Sequence, residues 1–391
     1  MESMRETDGC KLFGAYQALE GIQGSFLVIH SVPGCHFGTL SWHVQHNPLG
    51  IHQASTALGD QEIIFGGRDA VKKTLELLKE NSGIQTVFLI TGCVAELIQD
   101  DIEALCREYS AWFQIIPVNA AGFTGDLEDG YEEALLSLLP LMKRQERAAK
   151  QRPRVNVLGF GVDDPYAEGD LQQLEKLLGE QVKINLAFPF FEVEDLERAA
   201  DADLNLVFGR GRRLAEAMQN KFGIPWEEIA YPYGLEGMKE LWNILERQFG
   251  CNYRKECEES ERKLESRLLP LYPFLESFYH KNFAVYTDRS RANGIKRFLE
   301  EELGMRCVYD KRQGEKLDPE EIKASDAALF FGSTQERDIC QRYGIPLVRI
   351  CYPSVDKLWL ESDSRIGVEG TLQFIQEMIN QCLAEWSDVR Q

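Results

Sequence analysis

TVFLITGCVAELIQDDIEALCREYS, residues 86–110, contains one structural unit in miniature. Thr86–Thr91 is an unbroken apolar and β-branched run, the pattern of a strand buried on both faces. Gly92 interrupts it. Apolar residues then return at helical spacing, which predicts a helix over Glu96–Ser110. A strand, a tight turn and a helix in that order are half of a parallel crossover unit.

Outward from this stretch the same grammar fills the 391 residues. In a first segment, 1–153, strands are expected at Ser25–Ile29, Thr86–Thr91 and Gln114–Val118. Its helices are expected at Asp69–Glu80, Glu96–Ser110 and Tyr131–Arg147. The charged run KRQERAAKQRPR at 143–154 contains Pro153 and closes the segment. A second segment, 154–251, carries strands at Val155–Phe160, Lys183–Ala187 and Leu204–Phe208. Its helices fall near 169–179, 193–200, 212–222 and Leu235–Phe249. Residues 252–280, rich in Glu, Lys and Arg, read as a bridging helix. A third segment, 281–391, has strands at Phe283–Tyr286, Arg306–Tyr309, Ala327–Phe331 and Pro346–Ile350, with helices at 289–303, 334–343 and 367–386. The expected fold class is α/β: three domains with parallel, doubly wound (Rossmann-like) sheets around a central cleft. No short fixed repeat is present, which argues against a solenoid.

Composition narrows the function. The chain is 44% hydrophobic and 27% charged, an ordinary globular balance, with a net charge of −20. That acidity argues against nucleic acid and against an anionic membrane, both of which call for basic patches. No apolar run approaches the roughly 20 residues that span a bilayer. The first residues, MESMRETDGCKLFG, lack an apolar signal core, so a cytoplasmic protein is expected. In a reducing compartment ten cysteines point to metal binding or catalysis rather than disulfides. Free cysteine is also a small buried hydrophobe, and most of the ten are expected in that role.

Three cysteines stand out by context. Cys10 lies in DGCKLFGAYQALEGI, Cys35 in LVIHSVPGCHFGTLSW and Cys93 in the opening stretch. Their spacings of 25 and 58 residues form no compact CxxC signature. Cys35 follows a strand through a turn holding Pro33 and Gly34. Cys93 follows another strand, with Gly92 between. Open parallel sheets place ligands just beyond the carboxyl ends of their strands, where two such cysteines converge. The helix start after Cys93 favours a thiolate. An iron–sulfur cluster needs thiolates, and N–H groups aimed at sulfur tune its potential. Gly34 and Gly92 leave room for backbone and cluster to approach. Three core cysteines beside glycine turns is the other reading these residues allow.

Four stretches carry a resemblance: HSVPGC at 30–35, EIIFGGRDAVKKTLELL at 62–78, TGCVAELIQDDIEAL at 91–105 and GIPLVRICYP at 344–353. Together they resemble the nitrogenase component 1 family, which includes the nitrogenase α and β subunits, assembly scaffolds and nitrogenase-like reductases. YPYGLEGMKELWNIL at 231–245 resembles a further family segment. The cysteine spacing is most similar to the β subunit. The resemblance implies that Cys10, Cys35 and Cys93 are ligands of an iron–sulfur cluster shared across a dimer interface. It implies a homodimer or a heterodimer with a homologous subunit, and an ATP-dependent iron protein of the P-loop type as electron donor. The position matching the β subunit's serine ligand is Gly122. That implies a [4Fe-4S] cubane, or a different double cubane, in place of the full eight-iron P-cluster. The implied role is a reductase component. The alternatives are a scaffold for metallocluster assembly, or a binding protein that kept the cleft and lost the redox function.

Other candidates are weaker. Cys251 and Cys257 stand six residues apart, on nearly opposed helix faces. His36, His43, His46 and His52 read as a polar lid or interface loop after Cys35, with proton donation or substrate binding as the functional alternatives. Asp100 and Asp101, with Glu96 and Glu103, lie on the helix after Cys93, either hydrogen-bonding the neighbouring loop, docking a basic iron-protein surface or facing solvent. GFGVDDPYAEGD at 159–170 fits no phosphate-binding motif. FGRGRR at 208–213 offers three arginines after a strand, for an anion or an exposed loop.

Overall fold

Three four-stranded sheets carry the chain, and all three share one strand order. The computed structural model describes residues 10–46, 52–80, 83–144, 152–162, 164–357 and 363–388, with the side chains of 41–46 and 384–388 left aside. The strands are β1 (Ile22–Gln23), β2 (Ser25–His30), β3 (Gln53–Ser55), β4 (Thr86–Thr91), β5 (Gln114–Asn119), β6 (Arg154–Leu158) and β7 (Lys183–Ala187). There follow β8 (Phe191–Glu192), β9 (Leu204–Val207), β10 (Trp226–Glu228), β11 (Asn282–Thr287), β12 (Arg306–Arg312), β13 (Ala327–Gly332) and β14 (Leu347–Arg349). The sheets run β3-β2-β4-β5, β10-β9-β6-β7 and β12-β11-β13-β14, and β1 pairs with β8. Counted within each four-stranded sheet, every order is 2-1-3-4 or its reverse. Registers such as β2 with β4, β6 with β9 and β11 with β13 are parallel. The α/β class with parallel, doubly wound sheets is therefore what the chain adopts. In each sheet the order reverses between its first and third strands, the position where such sheets bind ligands.

The chain forms two compact units, Met1–Asp163 with Ile184–Trp226, and Asp164–Lys183 with Glu227–Gln391. In the first unit the alternation along β2 and β4 explains its core. Leu27, Ile29, Phe88 and Ile90 enter one apolar cluster, whereas Val28, Val87 and Leu89 enter another on the opposite face. Both faces are covered, so the strands read as continuous apolar runs.

A helix at Lys11–Leu19 packs on the first of these cores against a helix at Leu127–Ser137. Their backbones nearly touch through two glycines. A Cβ on Gly14 would sit 1.8 Å from the Leu127 carbonyl oxygen, and one on Gly130 would sit 1.8 Å from that of Lys11. This contact brings Cys10, which precedes the first helix, against Asp126 in an antiparallel bridge. Every residue of Lys11–Leu19 is buried, so it shows no polar stripe to mark it as a helix.

Several expectations need correction. The helix expected over Glu96–Ser110 is two helices, Cys93–Ile98 and Ile102–Tyr109. Gln99 turns left-handed at φ 57°, and the Asp101 carboxylate accepts from the Ala104 amide at 2.9 Å, starting the second helix afresh. The stretch after Cys35, expected as a loop, is a helix over Pro33–His46. Proline at the first position suits a helix start. The stretch 252–280 is a helix at Arg254–Leu268, a 3₁₀ turn at Leu269–Leu271 and a short helix at Tyr272–Glu276, interrupted where Pro270 and Pro273 remove amide donors. The helix expected at Tyr131–Arg147 ends at Ser137. Most of the boundary expected at 143–154 lies outside the described residues, as do the side chains of His43 and His46. No helix among the described residues is long and apolar enough to cross a membrane.

Candidate metal centre

The crevice of the first sheet opens between the carboxyl ends of β2 and β4, at His30–Ser31 and Thr91–Gly92. The three singled-out cysteines gather around it. Cys35 is the third residue of Pro33–His46. Cys93 is the first residue of its helix, after Gly92. Cys10 is the N-cap of Lys11–Leu19.

Gly122, in the loop after β5, is the common reference point. A Cβ there would lie 3.1 Å from Cys10 Sγ and 3.5 Å from Cys93 Sγ, so those sulfurs are at most 6.6 Å apart. The Gly122 amide donates to Cys93 Sγ at 3.1 Å. Ser31 Oγ donates to Cys35 Sγ at 3.3 Å. Burial pushes the Cys10 thiol up, the Leu12 and Phe13 amides pull it down, and the Cys93 and Cys35 sulfurs push it up again. Both other sulfurs thus lie near enough to act on Cys10. Lys11 Nζ donates to Thr124 Oγ1 at 3.0 Å and pairs with Glu133 at 2.9 Å, fixing the Gly122 loop against the Cys10 helix.

The expected glycine roles divide. A Cβ on Gly34 would meet nothing within 4 Å, so that side of Cys35 is open. A Cβ on Gly92 would lie 2.4 Å from Ser31 Oγ, so Gly92 makes room for protein. The amide that reaches Cys93 Sγ belongs to Gly122, 29 residues away, rather than to the helix that Cys93 opens.

Among the described residues no three His, Cys, Asp or Glu side chains converge tightly enough to hold a single metal ion. A cluster of several irons is wider than one ion and holds its thiolates correspondingly further apart. Soft sulfur donors, an amide aimed at one of them and an open face at Gly34 suit such a cluster. The residues present fit the group.

Of the remaining cysteines, Cys340 and Cys351 are buried, and Cys106, Cys251, Cys257, Cys307 and Cys382 are half-buried. Full burial is thus less common than expected. Burial raises the Cys251 and Cys257 thiols, outweighing the hydrogen bond from Tyr253 at the first and the charge of Lys239 at the second. His36 is half-buried and lowered by burial, and His52 is exposed. The arginines of FGRGRR have internal partners. Glu132 accepts the amides of Gly211, Arg212 and Arg213 at 2.6, 3.0 and 2.9 Å, occupying the helix start an anion would use. Arg210 lies 4.3 Å over the Tyr131 ring and donates to Gln17. The crevice between β6 and β9 is closed by packing, since a Cβ on Gly159 would lie 2.5 Å from the Phe208 carbonyl. A cavity of about 270 Å³ beside Leu268, Phe274 and Ile379 has Arg267 as its one titratable lining residue.

Comparison with known proteins identifies the family of the chain. The family model described as Nitrogenase component 1 type Oxidoreductase matches residues 10–310 and 312–383. The nitrogenase molybdenum-iron protein alpha chain of Methanothermobacter marburgensis is 26% identical, covering 95% of this chain and 86% of the relative. The nitrogenase iron-molybdenum cofactor biosynthesis protein NifE of Methanosarcina barkeri is 28% identical, covering 81% and 72%. The nitrogenase iron-iron protein beta chain of Rhodobacter capsulatus is 22% identical, covering 96% and 93%. The solved structure of nitrogenase Cp1 at pH 6.5 superposes with a TM-score of 0.81 at 17% identity, covering 97% of this chain and 93% of that one, a likeness of fold alone.

Proposed function

The chain belongs to the nitrogenase component 1 type oxidoreductases, and from that premise we propose that Cys10, Cys35 and Cys93 hold an iron–sulfur cluster in a nitrogenase-like reductase component. The observation that carries the reading is the convergence of three thiols, distant in sequence, at one sheet's crevice around Gly122. When bound, such a cluster relays single electrons at low potential. The three thiolates anchor it, and the Gly122 amide donates to one sulfur and tunes that potential.

Three cysteines leave a four-iron cluster one thiolate short, so a second, homologous chain or a second copy supplies the rest. The surface around the site favours such a partner. Phe37 is 72% exposed, Ile64 71%, Phe65 84%, Leu97 69% and Phe123 59%. Phe37, Leu97 and Phe123 lie on elements that carry or flank a cysteine or Gly122, and Ile64 and Phe65 lie on Asp60–Phe65, which packs against the Cys93 helix. Apolar groups so exposed mark an interaction surface. An ATP-dependent iron protein is the electron donor in this reading, and the cytoplasm is its compartment.

The second reading is a scaffold that holds a metallocluster during assembly. It draws on the similarity to NifE, whose name describes cofactor biosynthesis. The test is anaerobic incubation of the purified protein with a P-loop iron protein, ATP and dithionite, followed by electron paramagnetic resonance. ATP-coupled reduction of a bound cluster supports the reductase. A bound cluster that is never reduced in this way, and that passes intact to an acceptor protein, supports the scaffold.

A further inference from the structure

His30 ends β2 at the crevice and is fully buried. Its ring is held from both sides: Nδ1 pairs with Thr56 Oγ1 at 3.0 Å, and Nε2 with Asp100 Oδ2 at 2.9 Å. The Asp100 side chain is 6% exposed and also accepts the Gly67 amide, at 2.9 Å and 3.0 Å through its two oxygens. The main chain of the same strand end reaches the cysteine loops. His30 O accepts from the Gly92 amide at 3.0 Å, one residue before Cys93. Ser31 accepts from the Leu58 amide at 3.0 Å through its carbonyl and donates to Cys35 Sγ through its hydroxyl. There is no slack at the centre, where a Cβ on Gly67 would lie 2.6 Å from Asp100 Oδ2 and 2.7 Å from His30 Cε1.

One imidazole–carboxylate pair therefore ties together the turn before Cys35, the Thr56–Leu58 segment, the Gly66–Gly67 turn and the break after the Cys93 helix. Burying a carboxylate is costly unless its oxygens are hydrogen-bonded, and here each accepts at least one bond. We propose that His30 and Asp100 are positioning residues for the thiol site. They set where Cys35 and Cys93 stand relative to each other, and they keep a fixed negative charge behind the thiolates. Burial holds the His30 ring below its ordinary value against the pull of Asp100 and Glu96, so a neutral ring leaves that charge uncancelled. This inference rests on the reading of Cys10, Cys35 and Cys93 as cluster ligands.

Asp100→Asn separates position from charge. Its Oδ1 still accepts from Gly67, and its amide donates to Nε2 of the other imidazole tautomer, whose Nδ1 then donates to Thr56. Asp100→Ala and His30→Ala break the tie. The full-length proteins are purified without oxygen, their iron is counted, and the reduction potential is read by electron paramagnetic resonance. The two alanine variants bind iron about 10- to 100-fold more weakly, the cost of losing a partner that orients a ligand. Asp100→Asn keeps wild-type iron and has a more positive potential, because a lost negative charge favours the reduced cluster. A purely structural pair would leave that potential unmoved. The inference is overturned if Asp100→Ala keeps wild-type iron and potential, or if Asp100→Asn keeps the wild-type potential. Should the alanine variants fail to fold, the potential of Asp100→Asn decides alone. A wild-type protein without iron sinks the reading of the centre itself.

Discussion

The first and third sheets have the same strand order, yet their crevices contain opposite chemistry. Between β2 and β4 lie soft thiols, glycine turns and an open face at Gly34. Between β11 and β13 the space is filled by charge pairs. Arg291 is paired with Asp164 and with Asp288, the latter at 2.6 Å, and its guanidinium lies 4.6 Å over the Tyr231 ring. On the other side, the Ser333 amide and hydroxyl both donate to Glu336 Oε2 at 2.7 Å. The topology supplies a crevice in both sheets, and the side chains decide whether it holds a ligand or is closed. A buried guanidinium already paired with two carboxylates has little left to offer a ligand, whereas thiols with only one or two donors near them do.

Substitutions in the two crevices should accordingly fail in different ways. The largest effect expected is at the thiols. Cys93→Ala removes an anchoring sulfur and should lower bound iron on the order of 100-fold, while Cys257→Ala, on the charged helix, keeps it. Iron assay of the two proteins checks this, and equal losses would erase the distinction between the three cysteines and the rest.

In the third sheet the readout is stability. Arg291→Leu leaves the carboxylates of Asp164 and Asp288 without their buried partner and should cost about 3–5 kcal/mol in urea unfolding. Bound iron per folded chain should not change. Gly130→Ala places a Cβ against the Lys11 carbonyl and should cost about 3 kcal/mol. It also moves the helix that begins after Cys10, so iron and stability fall together, linking the two readouts where the Arg291 variant separates them. The smallest effect is at the helix break after Cys93. Asp101→Ala removes the cap on Ile102–Tyr109 and should cost about 1 kcal/mol in thermal unfolding.

Much of this was legible in the chain because buried parallel strands are continuous apolar runs. Thr86–Thr91 and Lys183–Ala187 were expected with the bounds they have. Lys11–Leu19 was missed because a helix buried all round has no amphipathic stripe. The break at Gln99 was missed because the apolar spacing on either side of it suits one helix, and only the Asp101 cap marks the restart. The positions of Cys35 and Cys93 beside strand ends followed from local pattern. The long-range contacts did not, since Gly122 lies 29 residues from Cys93, Asp100 lies 70 from His30 and Glu132 lies 79 from Gly211. Such contacts are set by how sheets and helices pack, and no local spacing records them.

The central claim is that an iron–sulfur cluster sits where three thiols meet at the crevice of the first sheet. The most direct measurement is iron and acid-labile sulfide per chain in the wild-type protein, isolated without oxygen. The account predicts iron and inorganic sulfide in comparable amounts. Protein that folds fully yet contains neither would contradict it.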